Sequence, residues 1–250
     1  MTSSGRGKVS YDVVVIGAGI AGSALATVLA RDGYEVLIIE RQASYRDKVR
    51  GEAMMPWGVG EMLHLGLEEA FLAAGGCYER RVVLYDEVRS PAEAEEITGR
   101  YDQLLPGVPG LLDVGHPDAC TTLSRAASVA GATVVRGVGN VTIEKGGTQH
   151  VRYAHNNLEH NVSARLIVGA DGRTSTVRRQ LGITLAETTP RTMGGGMLID
   201  GFDSWPADQT AIGTEGDLHY TLFPRKNGRA RLYLYFDIRQ KGRFTGPTRE

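Results

Sequence analysis

Apolar residues in this chain come in short, dense runs separated by glycine-bearing turns, and the first run is the cleanest. Asp12-Val13-Val14-Val15-Ile16 has the length and β-branching of a strand buried on both faces of a parallel sheet. Ser23-Ala24-Leu25-Ala26-Thr27-Val28-Leu29-Ala30 has helix-forming composition and stops at Asp32-Gly33. A second run, Glu35-Val36-Leu37-Ile38-Ile39, closes on Glu40. The pattern predicts a strand-turn-helix-strand unit.

Farther along, Val59, Met62, Leu63 and Leu65 mark a short helix stopped by Gly66, with another turn or two over 67–74. Arg81-Val82-Val83-Leu84-Tyr85 reads as a strand, and the acidic stretch Pro91-Ala92-Glu93-Ala94-Glu95-Glu96 as a surface connection to a weaker partner near Ile97. A helical pattern over 117–130 places Ala119, Leu123, Ala126, Ala127 and Ala130 on one side, and the strand Thr133-Val134-Val135-Arg136 follows Gly131. Residues 140–143 and 149–153 predict a hairpin around Lys145-Gly146-Gly147, and Asn156-Asn157 a further turn. The run 165–170 is a strand ending in Asp171-Gly172, before a short helix over 175–181. From Met193 the character changes to successive strands near 194–200, 218–223 and 231–236, the last two joined by the hairpin signal Asn227-Gly228. These predict an antiparallel sheet in a second domain.

Between the first strand and helix stands Gly17-Ala18-Gly19-Ile20-Ala21-Gly22. Gly17 permits a tight turn, Gly19 lets a pyrophosphate approach the backbone, and Gly22 lets the helix pack closely on the strand. The helix start offers unpaired N–H groups to phosphate. Glu40, about twenty residues beyond the glycines, suits a ribose diol and repels a 2′-phosphate, which favours FAD or NAD over NADP in this first site.

Composition narrows the field by exclusion. The 250 residues carry a net charge of −1 and 42% hydrophobic content, so nothing suggests a nucleic-acid partner. Cys77 and Cys120 form no CxxC pattern, and His150, His155 and His160 lack an accompanying acid or cysteine cluster, so no metal site is expected. A polar N-terminus and the lack of an apolar stretch of about eighteen residues point to a cytoplasmic chain with no membrane partner.

Three features then fall in one order: Gly17-x-Gly19-x-x-Gly22 with Glu40-Arg41, Arg50-Gly51-Glu52, and Gly169-Ala170-Asp171-Gly172. Together they resemble the class A flavoprotein monooxygenases, the para-hydroxybenzoate hydroxylase-like superfamily that also holds flavin-dependent halogenases and geranylgeranyl reductases. The resemblance implies an α/β fold: a Rossmann-like FAD-binding domain with a mostly parallel sheet, over 10–77 and 110–188, and an incomplete antiparallel-sheet substrate domain, over 78–109 and 189–250. It implies FAD, with Gly17, Gly19, Ile20, Ala21 and Gly22 at the pyrophosphate, Glu40 at the adenosine ribose and Arg41 at the adenine end. Arg50 would reach the phosphates or ribityl chain, and Asp171-Gly172 is associated with both FAD and pyridine nucleotide. NAD(P)H would reduce the flavin, and a flavin C4a-hydroperoxide would hydroxylate or epoxidise an aromatic or polyketide-like small molecule. No protein nucleophile or catalytic residue is singled out.

The family also carries a Gly-Asp motif followed by Ala-Ala or Ala-Gly and a proline, and none follows Asp171. The chain therefore resembles the N-terminal part of a longer enzyme, whose flavin site a further C-terminal segment or a second chain completes, and weak FAD retention is expected. Gly51-Glu52-Ala53-Met54-Met55-Pro56 is similar to a stretch in some halogenases and reductases, which makes those the first alternative. Trp57 and Trp205 do not form the tryptophan-halogenase motif. The second alternative is a non-catalytic FAD-binding fragment. Met54, Met55 and Trp57 are candidates for a cavity lining or for plain packing, and Tyr220, Phe223, Tyr233 and Tyr235 for a substrate-facing sheet surface.

Overall fold

The computed structural model describes residues 9–47, 52–144 and 149–244. Arg50 and Gly51, and the hairpin tip at Lys145-Gly146-Gly147, lie outside the described residues. Strand β1 (Val9–Ile16), helix α1 (Ile20–Arg31) and strand β2 (Val36–Glu40) open the chain, followed by β3 (Ala53–Met54), α2 (Pro56–His64) and α3 (Glu68–Ala73). Next come β4 (Cys77–Glu79), β5 (Arg81–Tyr85), α4 (Pro91–Glu96), β6 (Gly99–Arg100), β7 (Leu111–Asp113), α5 (His116–Val129) and β8 (Thr133–Arg136). Strands β9 (Val141–Glu144), β10 (Gln149–His155) and β11 (Leu158–Gly169) precede α6 (Thr176–Gln180). The remainder is mostly strand: β12 (Thr192–Asp200), β13 (Gln209–Glu215), β14 (Leu218–Arg225) and β15 (Arg229–Asp237).

Two compact units divide the chain. The first holds the described part of Met1–Arg46 with Glu69–Ala74 and Pro117–Ala186, and the second the described parts of Asp47–Glu68, Gly75–His116 and Glu187–Glu250. The boundaries expected from the sequence place 47–68, 75–77, 110–116 and 187–188 with the nucleotide-binding part. All four group with the second unit, the first three because β3, β7 and β4 pair as a small antiparallel sheet. Ala53 and Leu111 from that sheet pack with Val82, Ile212 and Phe223 of the large one.

In the first unit the sheet order is β8-β2-β1-β11-β10-β9. The four strands β8, β2, β1 and β11 run parallel, and β10 and β9 add an antiparallel meander. Both faces of β1 and β2 are covered. Val14, Ile16, Leu37 and Ile39 join Val151, Tyr153 and Val162 of the meander side. Val13, Val15, Val36 and Ile38 meet Ala26 of α1 and Ala127 of α5. Asn156 and Asn157, at φ 52° and 59°, make the left-handed turn that sends β11 back along β10. β10 leaves β11 at Ala164, whereas β1 follows it to Gly169.

The second unit carries a sheet of order β12-β15-β14-β13-β5-β6, antiparallel except where β13 runs parallel to β5. The acidic stretch is not an open connection but helix α4. Ser90 Oγ accepts from Glu93 N while the Glu93 carboxylate accepts from Ser90 N, a capping box. Among the described residues no helix is long and apolar enough to cross a membrane.

Buried charge holds this second unit together. Arg231 is 5% exposed and donates through Nε and Nη2 to both oxygens of Glu52, at 3.0 and 3.1 Å, and also to Asp47. Arg225 donates to Asp113 Oδ1 at 2.9 Å and lies 3.6 Å from Glu52. Glu79 is fully buried nearby, and among the described residues neither of its oxygens has a hydrogen-bond partner, nor has Asp113 Oδ2. Burial, reinforced by the Asp113 charge, raises the Glu79 carboxyl well above the usual range, and burial pushes Asp113 up to about 6. An acid whose folded-state value is raised stabilises the fold at low pH and loses that contribution as pH climbs through the folded value. The thermal midpoint is therefore expected to fall between pH 5 and pH 8. Glu79→Gln, which cannot ionise, is expected to flatten that decline and to be more stable than the wild type at pH 8 by about 1–3 kcal/mol. Unfolding scans across that range check it, and parallel curves for the two proteins would contradict it.

Candidate functional site

The first unit's chemistry gathers at the carboxyl ends of β1 and β2, where an open parallel sheet binds its ligands. Gly17 leaves β1 at φ +108°, and a Cβ there would stand 2.4 Å from the Ala170 carbonyl oxygen. A Cβ on Gly22 would stand 2.0 Å from the Gly17 carbonyl oxygen and 3.1 Å from Ala170 Cβ. Both glycines are required by close approach of backbone to backbone. Gly19 differs, because a Cβ there would meet nothing within 4 Å. That space lies at the N-cap of α1, whose Gly19 has no side-chain cap. Open volume at a helix N-terminus suits a pyrophosphate.

Helix α1 starts at Ile20, three residues before the sequence pattern suggested, so Ile20 and Ala21 lie in its first turn. The Ile20 amide is directed to the Cys120 thiol in α5, which burial, with the Glu40 charge, pushes up to about 11. Glu40, at the end of β2, is 8% exposed. Its Oε2 accepts from Ala18 N at 2.8 Å and its Oε1 from Gln42 N at 2.7 Å. Each oxygen retains a lone pair for a ribose hydroxyl. Arg41 is exposed on the loop that follows.

Asp171 holds the start of the helix that follows it. Its carboxylate accepts from Ser175 Oγ and from the amides of Thr176 and Val177, so it fixes the start of α6. Gly172, at φ +82°, makes the turn that allows this. Sequence reasoning missed Tyr45 and Arg136. The Tyr45 hydroxyl donates to the Ala18 carbonyl at 2.5 Å, and the Arg136 guanidinium lies 4.2 Å from the centroid of the Tyr45 ring. No local signal marks either residue, since both reach the turn only through the register of β2 with β8 and the path of the loop after Glu40.

On the second unit's sheet, strand register separates the aromatic residues. Phe223 pairs with Arg231, Thr221 with Tyr233 and His219 with Tyr235, so these six side chains share one face. Phe223, Tyr233, Tyr235 and His219 form a continuous stripe with successive ring separations of 6.1, 6.4 and 6.0 Å. Tyr220 points the other way and lies across Gly213, where a Cβ would stand 2.3 Å from its hydroxyl. An open groove of about 650 Å³ runs over part of the striped face, lined by His219, Thr221, Tyr235, Arg191, Asp217 and Asp237 among others. Met55 packs against the Val82–Leu111 cluster, and Trp57 is 63% exposed.

The FAD-binding domain family matches residues 10–249. The chain belongs to this family. Among curated relatives, squalene monooxygenase from Eremothecium gossypii is 46% identical over 70 residues, which is 28% of this chain and 14% of that protein. Among solved structures, a flavoprotein/dehydrogenase from Cytophaga hutchinsonii is similar with a TM-score of 0.80 at 22% identity, over 95% of this chain and 58% of its own. The flavin-dependent halogenase CmlS gives 0.78 at 19% identity, over 96% of this chain and 43% of its own. Aklavinone-11 hydroxylase, solved with FAD and aklavinone, gives 0.70 at 22% identity, over 92% and 46%. The chain thus spans about half the length of the proteins whose fold it shares, and FAD is the cofactor its family holds.

The turn's geometry separates two glycines by substitution. Gly22→Ala drives a methyl into backbone and is expected to cost about 3 kcal/mol of stability. Gly19→Ala is expected to stay within about 1 kcal/mol of the wild type and, with this open space taken as the one that suits a pyrophosphate, to weaken FAD binding at least about tenfold. Thermal unfolding and flavin-fluorescence titration check the pair.

Proposed function

We propose that the chain is the FAD-binding part of a flavin-dependent monooxygenase that hydroxylates or epoxidises an aromatic or polyketide-like small molecule, with NAD(P)H as reductant. One observation carries the reading: the glycine turn is closed at Gly17 and Gly22 yet open at Gly19, beside an acid with lone pairs to spare. The stretch shared with squalene monooxygenase supports oxygen insertion over the halogenase and reductase alternatives.

Gly19 and the first turn of α1 receive the pyrophosphate, and Glu40 accepts from the adenosine ribose. Arg41 lies toward the adenine, and Arg50, outside the described residues, is assigned to the phosphates or ribityl chain by family resemblance alone. Asp171 acts at one remove, by fixing Ser175 to Val177 in place. Bound FAD supplies two-electron redox chemistry and activation of O2, while the protein orients it and excludes water. The open end of the stripe, Tyr235 and His219 along the groove, offers a π-rich surface suited to a planar substrate. A further segment or a second chain would complete the flavin site.

The test is NAD(P)H oxidation by the full-length enzyme with phenolic, polyketide-like and alkene substrates under isotopically labelled O2. One labelled oxygen atom in the product is expected. A product that forms only with added halide and contains halogen would establish the halogenase alternative. FAD binding without NAD(P)H oxidation would establish the non-catalytic one.

A further inference from the structure

Ala18, the residue between the first two glycines, has both of its backbone polar groups taken by side chains. Its N–H is given to Glu40 at 2.8 Å. Its carbonyl accepts from the Tyr45 hydroxyl at 2.5 Å and from Ser23 Oγ at 3.1 Å. Ser23 belongs to the helix the turn feeds and Glu40 to the adjacent strand, both expected in a dinucleotide turn. Tyr45 comes from the loop after β2, five residues beyond Glu40, and doubles back over the turn.

That loop is itself braced. The Arg136 guanidinium covers the Tyr45 ring at 4.2 Å, and its Nε reaches the Gln42 carbonyl at 3.5 Å. The Gln42 amide donates to Glu40, and Gly137, at φ +73°, brings the chain beside Ala43. Burial, with the Glu40 charge, pushes the Tyr45 hydroxyl up to about 12, so it remains a donor at any working pH. Arg136 pairs in register with Glu40 across β8 and β2, so one end of the sheet carries both the acid and the brace.

We infer that Tyr45, held by Arg136, is a positioning residue for the adenosine half of FAD: it pins Ala18 from the carbonyl side while Glu40 pins it from the amide side. Fixing both ends of one peptide residue sets the direction of the Gly19 and helix-start amides, and sets the Glu40 carboxylate, before the nucleotide arrives. Preorganisation of this kind lowers the ordering cost of binding. The inference rests on FAD as the ligand of the glycine turn.

Calorimetric titration of the whole chain with FAD, and separately with ADP, tests it. Tyr45→Phe keeps the ring for Arg136 and removes only the hydroxyl, and is expected to raise both dissociation constants by the same factor, about five to ten. Arg136→Gln is expected to shift both in the same direction. In a Glu40→Gln background the Tyr45→Phe change is expected to cost much less, because the two side chains act on one residue. The ligand-free thermal midpoint of Tyr45→Phe is expected to stay within about 2 °C of the wild type. Weaker FAD with unchanged ADP, unchanged affinity for both, or full additivity with Glu40→Gln each overturns the inference while leaving the cofactor reading intact. A wild-type chain that binds neither nucleotide overturns both.

Discussion

The first unit depends on a backbone amide that is given to a carboxylate. Where β1 ends, Ala18 N cannot bond within the sheet, and Glu40, buried at the end of the next strand, accepts it at 2.8 Å. A buried acid and a buried amide each carry a desolvation penalty, and pairing them removes both. The same bond locks the end of β2 to the turn after β1, so strand register and turn geometry are one constraint. Gly17 and Gly22 follow from it: with Ala18 pinned, the chain passes so near Ala170 that no side chain fits at Gly17, and the Gly17 carbonyl then leaves none at Gly22. What that packing leaves open lies at Gly19.

The second unit rests on ion pairs withdrawn from water. Arg231 and Glu52 are both nearly inaccessible and bonded through two hydrogen bonds. Such a pair adds little net stability compared with apolar packing, but removing one partner leaves an uncompensated charge at a cost of about 3–5 kcal/mol. The arrangement therefore acts mainly as a register device. It ties the segment before β3 to β15, residues far apart in sequence, and makes other pairings costly. Two arginines, Arg225 and Arg231, face Asp47, Glu52, Asp113 and Glu79, an excess of acid that a proton on Glu79 relieves.

Local rules made much of this legible. The buried strands, the Asn-Gly hairpin and the glycine turn all came from patterns within a few residues, and Asn227 and Gly228 do adopt φ near 60° as a type I′ turn requires. What could not be read depended on distant partners. Strand β13, Gln209-Thr210-Ala211-Ile212-Gly213-Thr214-Glu215, has weak apolar alternation and an internal glycine. It is a strand because β5 and β14 flank it, and because Gly213 makes room for Tyr220. The three short strands β3, β4 and β7 lack any periodicity over two or three residues, and their pairing moved a domain boundary. Helix α4 is a different case, since Ser90 with Glu93 is a local capping signal in plain view.

Asp171 shows why a motif must be followed to its atoms. The Asp-Gly pair after an apolar strand is associated by resemblance with nucleotide binding, and its carboxylate accepts from Ser175, Thr176 and Val177 within six residues. Mechanics alone account for the spacing: β11 ends, Gly172 turns at positive φ, and the acid satisfies the first amides of a five-residue helix. Val177 then packs against Gly169, where a Cβ would stand 2.7 Å from its Cγ1. Glu40 accepts one hydrogen bond on each oxygen, and Asp171 accepts one on Oδ1 and two on Oδ2. Asp171 fixes the start of α6 beside Ala170, whose carbonyl leaves no room for a side chain at Gly17, while the Gly17 carbonyl leaves none at Gly22.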